Sequence, residues 1–154
     1  MSAKIHAAVV QYQKDHDADQ LSAAILAILR VAYEDTGADE EDIDDALDEQ
    51  KEYLAGFMQD VDNDKLSDDQ MDARALLYAG SVYAFTQLTN LRAAASEADP
   101  TAVQTWHTDP NAEHCEDCEA LDGVQHTAQE WLDLGLYPGC GQNQCLGNCR
   151  CGLD

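Results

Sequence analysis

The cysteines constrain this chain more than any other feature. None occurs before residue 115, and then six fall in the last forty positions: Cys115, Cys118, Cys140, Cys145, Cys149 and Cys151. A segment that concentrates its thiols in this way is held together by them, or uses them. The stretch before it must pack by hydrophobic patterning alone.

That patterning is helical. Ile5, Val9 and Tyr12 share one side of a short helix over residues 2–15. In "DADQLSAAILAILRVAYEDTG" the positions Leu21, Ile25, Ile28 and Ala32 make one face, widened by Leu29. Asp17 or Asp19 can cap its start and Gly37 can end it. Over residues 38–62, Ile43, Leu47, Leu54 and Met58 recur at helical spacing among acids. Ser67 and Gln70 form a capping box for a helix running to about Ser96. Met71, Leu76, Leu77, Val82, Tyr83, Phe85 and Leu88 make it the most apolar segment, and Asp99-Pro100 stops it.

After Pro100 the character changes. "AVQTWHT" reads as a strand with Val103, Thr105 and His107 on one side. "DPNAEHCEDC" reads as a turn, and "EALDGVQH" as a turn into a second strand. Thr127 with Glu130 caps a short helix that Gly135 closes. "CRCGL" reads as a last short strand. The expected fold is therefore mainly α with a small α+β C-terminal domain: an acidic helical region, 1–100, then a compact Cys-rich module, 101–154.

Charge limits the partners. The chain has 31 Asp+Glu against 8 Lys+Arg, a formal net charge of −23, which disfavours direct binding to a phosphate backbone. Acids crowd the stretch from Glu34 to Asp72, where Lys51 and Lys65 are the only bases. No signal sequence or membrane-length apolar run is seen, so the expectation is a protein made without export, in a reducing compartment where clustered cysteines more often bind metal than form disulfides. "DVDNDKLSDDQM" places Asp60, Asp62 and Asp64 like a calcium loop, but Lys65 and Met71 stand where glycine and glutamate are needed, and it reads as a solvated turn.

Cys115-x-x-Cys118 has the spacing of a zinc knuckle, and tetrahedral zinc needs two more donors. Cys145 and Cys149 supply them in the preferred reading, with Cys151 as the alternative fourth ligand, because Cys149 and Cys151 lie on the same side of a strand. Cys140 is the spare. A redox pair, disulfides and an iron–sulfur cluster remain open alternatives. A catalytic metal is disfavoured, since it needs an open position. His114 and His126 flank the cysteines and could replace a thiolate, though surface or supporting roles are expected for them and for His107. His6 and His16 carry no signal.

The tail then carries a resemblance. "TWHT", the run "CEDCEALDG", a short polar helix, "YPG" and the closing "CLGNCRC" resemble, in order, the C-terminal domain of the phage Mu F-type head morphogenesis (minor capsid) family. The resemblance covers residues 71–154. Cys115, Cys118, Cys149 and Cys151 match the motif cysteines, and Cys145 stands near the place where many members have histidine. It implies a minor structural protein, not an enzyme, in a tailed-phage virion, at the head or portal vertex, and in the host cytoplasm before assembly. Its partners would be capsid, portal or connector subunits, its metal a structural Zn2+, and no membrane would be involved. A zinc-binding interaction adaptor outside a virion, or a thiol oxidoreductase, is the alternative.

Overall fold

The computed structural model describes residues 2–15, 17–63, 65–96, 99, 101–145 and 149–154. Its element order is α1 (Ser2–Asp15), α2 (Ala18–Glu34), α3 (Glu40–Asp62), α4 (Asp68–Ser96), β1 (Val103–His107), α5 (Glu116–Leu121), β2 (Gln125–Thr127), α6 (Ala128–Leu134) and β3 (Gly152–Leu153). The chain is mainly helical with a small antiparallel sheet, and it forms two compact units, residues 1–82 and 83–154. The C-terminal part of α4, from Tyr83 on, belongs to the second unit. Pro100, Asp64, His16 and the side chain of Leu76 lie outside the described residues.

In the first unit α1 packs on α2 and α2 on α3. Asp17 caps α2, its carboxylate accepting from Gln20 N at 2.9 Å. The α2 core positions are Leu21, Ile25, Leu29 and Tyr33, all buried. Ile28 and Ala32, expected on that face, are only half-buried. A strict i, i+4 row leans across the helix, so a face that begins at Leu21 drifts to Leu29 and Tyr33. The same drift appears in α3, where Phe57 and Val61 are buried and Met58 is not. In α4, Met71, Ala75, Tyr78 and Phe85 are buried, whereas Leu77 is 49% exposed.

Polar contacts fix these helices. Tyr33 Oη and Ser81 Oγ lie 3.0 Å apart. Arg30 ties Glu40 at 2.8 Å and also Asp44, on a surface where such pairs add little each. The calcium-like Asp60 is committed to cations of the chain itself, Arg74 at 2.6 Å and Lys65 at 3.1 Å. Those hydrogen bonds, Arg74's first, hold its carboxyl below the usual carboxylate range. The Arg74 guanidinium also sits 5.3 Å from the Phe57 ring centroid, a cation–π contact.

Asp39 caps α3 by accepting from Asp42 N at 3.0 Å. Asp39→Ala is expected to lower the stability of the first unit by about 1 kcal/mol, as loss of an N-cap usually does. Urea unfolding followed by helical circular dichroism measures it, and an unchanged midpoint would show that the cap contributes nothing.

In the second unit β1 is the middle strand, in the order β2-β1-β3. Val103 pairs with Thr127, and Trp106 with Leu153, both antiparallel. Val103, Thr105 and His107 do share a side, but it is the outer one: Val103 is 53% exposed while Trp106, on the other face, is fully buried. The last strand is shorter than "CRCGL", holding only Gly152–Leu153. The capping box of α6 is complete: Thr127 Oγ1 accepts from Glu130 N at 3.2 Å and Thr127 N donates to the Glu130 carboxylate at 2.8 Å. Gly135, at φ 65°, ends that helix in the left-handed conformation glycine favours.

Candidate metal centre

The core of the second unit is built from Leu91, Trp106, Cys118, Ala128, Trp131, Cys149 and Cys151. Three thiols are thus core residues, buried against two tryptophans whose ring centroids are 5.8 Å apart. Cys118 comes from α5, and Cys149 and Cys151 from the C-terminal tail just before β3. Cys115 is the N-cap residue of α5 and Cys118 lies within it. The sequence reading made this segment a turn. Glu116, Asp117 and Glu119 place acids in the first turn, where the helix dipole favours them, and that turns the knuckle into a helix start.

Two further segments bring the remaining thiols. The Asp117 carboxylate accepts from Gln144 N at 2.9 Å, which fastens the loop carrying Cys145 to α5. Beside it the buried Asn143 amide donates to Cys118 Sγ at 3.5 Å. On the tail, the Cys151 carbonyl accepts from Tyr83 Oη, and Asp154 exchanges two backbone hydrogen bonds with Thr105. Gly139 lets the intervening loop approach α4 closely: it has φ 85°, and a Cβ there would sit 2.9 Å from Ala84 Cβ.

The result is a five-sulfur cluster. Cys118 Sγ is 3.5 Å from Cys145 Sγ and 3.8 Å from Cys149 Sγ. Cys115, Cys118 and Cys145 form one group, and Cys118, Cys149 and Cys151 another, each with its sulfurs within 4.8 Å of one another. Such a cluster could hold a metal ion. Cys151, read from sequence as the alternative to Cys149, stands beside it rather than instead of it. Cys140 is in neither group. His114 is in contact with the cluster, its Nδ1 3.8 Å from Cys151 Sγ, while its Nε2 donates to the Asp109 carbonyl at 2.6 Å. His107 pairs instead with Asp154 at 2.6 Å, and the His126 ring meets Trp131 edge-on at 4.6 Å.

The electrostatics fit a cation. Burial first, then the neighbouring Cys115, pushes the Cys118 thiol up to about 11. Burial and the adjacent sulfurs also raise Cys145 and Cys151. Burial opposes the shift at Cys115, yet hydrogen bonds with Cys118 and Cys145 hold its thiol below the ordinary value. Thiolates crowded this closely without a cation repel one another, so the raised thiols are neutral at pH 7 and would have to ionise to bind a metal. Uptake of a divalent metal ion at pH 7 is therefore expected to release protons, and affinity to fall as pH is lowered. Titration calorimetry in buffers of different ionisation enthalpy reads the release; a heat independent of buffer would refute it.

What the sequence missed is the supporting layer. Asn143, the Asp117 carboxylate and the Asp109 carbonyl are ordinary polar groups until the loops close, and only Asn143's place between two cysteine segments hinted at its role. Among the described residues no helix is long and apolar enough to cross a membrane. No protein-family model, curated protein or solved structure matches the chain.

Proposed function

We propose that the chain is a structural protein whose C-terminal module is held by bound zinc and presented for protein–protein contacts, as a minor component of a tailed-phage head at the portal or connector vertex. The observation that carries the metal staple is the convergence of five thiols in the module's core. An all-sulfur donor set with soft ligands suits zinc. It also suits a structural role, since thiolates lower the Lewis acidity that hydrolysis would need. The phage-head role rests on the order of motifs in residues 71–154. The charge of −23 agrees with contacts to protein subunits instead of DNA.

Two measurements test the two halves. Metal analysis of purified protein should find zinc that survives gel filtration, with thiols protected from alkylation until a chelator is added. Thiols that cycle with a reductant would support the oxidoreductase alternative and sink the staple. Antibody or tag detection in gradient-purified particles should find the chain at a low, fixed copy number. A zinc-loaded protein that never sediments with particles would refute the virion role and favour an adaptor.

A further inference from the structure

The five sulfurs are not arranged around one point. Tetrahedral geometry with zinc–sulfur bonds of about 2.3 Å puts all four bound sulfurs about 3.8 Å from each other. The separations of Cys118 from Cys145 and from Cys149, 3.5 and 3.8 Å, suit shared coordination. Yet the close groups contain three sulfurs each, and Cys118 is their common member. Among the described residues no fourth ligand atom lies within 4.8 Å of all three members of either group. Two trios meeting at one sulfur is the layout of two ions joined by a bridging thiolate, in which the outer sulfurs of one ion stand apart from those of the other.

His114 stands against one of the trios, at Cys151. The Asp109 carbonyl can only accept, so Nε2 carries the hydrogen and the neutral ring keeps its lone pair on Nδ1. That nitrogen lies 3.8 Å from Cys151 Sγ. Bonds of about 2.0–2.1 Å to nitrogen and about 2.3 Å to sulfur would place the two donors about 3.6 Å apart. A ring fixed by a carbonyl on its far nitrogen is how ligating histidines are usually oriented. The Asn143 amide, donating to Cys118 Sγ, supplies a hydrogen bond to the sulfur that must carry two ions.

The geometry points to a two-ion site for soft divalent metal: one ion on Cys115, Cys118 and Cys145, the other on Cys118, Cys149, Cys151 and His114, with Cys118 bridging. The first ion takes its fourth donor from solvent, beside Cys115 and Cys145, which are both half-buried. Each bound thiol gives its proton to the buffer, and no electron is transferred. Five thiolates with two divalent ions carry one net negative charge, against two for four thiolates with one ion, an advantage in so acidic a chain. This inference rests on the metal-staple reading and goes beyond it in ion count and in the role of His114.

The test uses the full chain, reduced and freed of metal, titrated with zinc and then challenged with a chelator strong enough to strip carboxylate-bound ions. Native mass spectrometry should find two zinc ions per chain, and iodoacetamide should modify Cys140 alone. One retained ion, with Cys140 and one other cysteine modified, overturns the two-ion site and leaves the staple standing. No retained ion overturns both. His114→Ala should lose one ion of the two and keep the other; keeping both removes His114 from the site. If that variant fails to fold, the wild-type ion count still decides. Loaded with cadmium-113, the chain should give two resonances coupled through the shared sulfur, and two uncoupled resonances would overturn the bridge.

Discussion

Cys118→Ser is expected to abolish metal binding and unfold residues 101–154, while the first unit keeps its helices. The size of the effect follows from the staple. Binding of structural zinc is worth about 10–16 kcal/mol in small zinc-dependent domains at pH 7. A whole domain's net stability is about 5–15 kcal/mol. A module whose strands span five, three and two residues has little besides its cysteines and tryptophans to bury. Cys118 belongs to both sulfur groups, so its loss reaches further than that of any other thiol. Cys115→Ser and Cys145→Ser should also unfold the module, and Cys140→Ser should leave it nearly unchanged. Limited proteolysis with mass mapping separates the units: cuts should cluster after residue 100 in the first three variants. Equal resistance in wild type and Cys118→Ser, or equal damage from Cys140→Ser, would sink the staple.

The ease of reading this chain differs between its halves for a physical reason. Helices of 14 to 29 residues repeat their pattern several times, so α1 to α4 emerge from periodicity despite the acids around them. What periodicity blurs is which neighbouring residue points inward. Leu29 and Tyr33 against Ile28 and Ala32, or Phe57 and Val61 against Met58, differ by one position, and the angle at which helices cross decides. The helix α5 has only six residues, too few for any period, and its N-cap is a cysteine that makes no side-chain cap bond.

At the site, the cysteines were identifiable as a set because their residue type is itself the signal. Their partition was not. Spacing such as Cys145-x-x-x-Cys149 suggests a ligand pair, yet the structure separates these two into different groups. The tail is placed by the pairing of Gly152 and Leu153 with β1, and the Cys145 loop by its bond to Asp117. Both are long-range contacts with no trace in local sequence.

Trp131→Ala is expected to be the most damaging change in the second unit outside the cysteines. The side chain is fully buried, faces Trp106 at 5.8 Å and the His126 ring at 4.6 Å, and its Nε1 donates to the Gln104 carbonyl at 3.0 Å. Truncating a buried tryptophan to alanine costs about 3–5 kcal/mol through lost contacts and the cavity left behind. Leaving the Gln104 carbonyl without its donor adds about 1–3 kcal/mol where water cannot replace it. Trp131→Phe separates the two, because a ring remains but the donor is gone. Trp106 is the control. Its Nε1 is buried and finds no acceptor among the described residues, so Trp106→Phe removes an unsatisfied donor and should cost less than Trp131→Phe. In the zinc-loaded protein, denaturant unfolding followed by the remaining tryptophan's emission gives each midpoint. The order should be Trp131→Ala lowest, then Trp131→Phe, then Trp106→Phe. Were the two Phe variants reversed, the Gln104 hydrogen bond would not be what fastens α6 to β1, and packing alone would have to explain how the short helix holds its place beside the sulfur cluster.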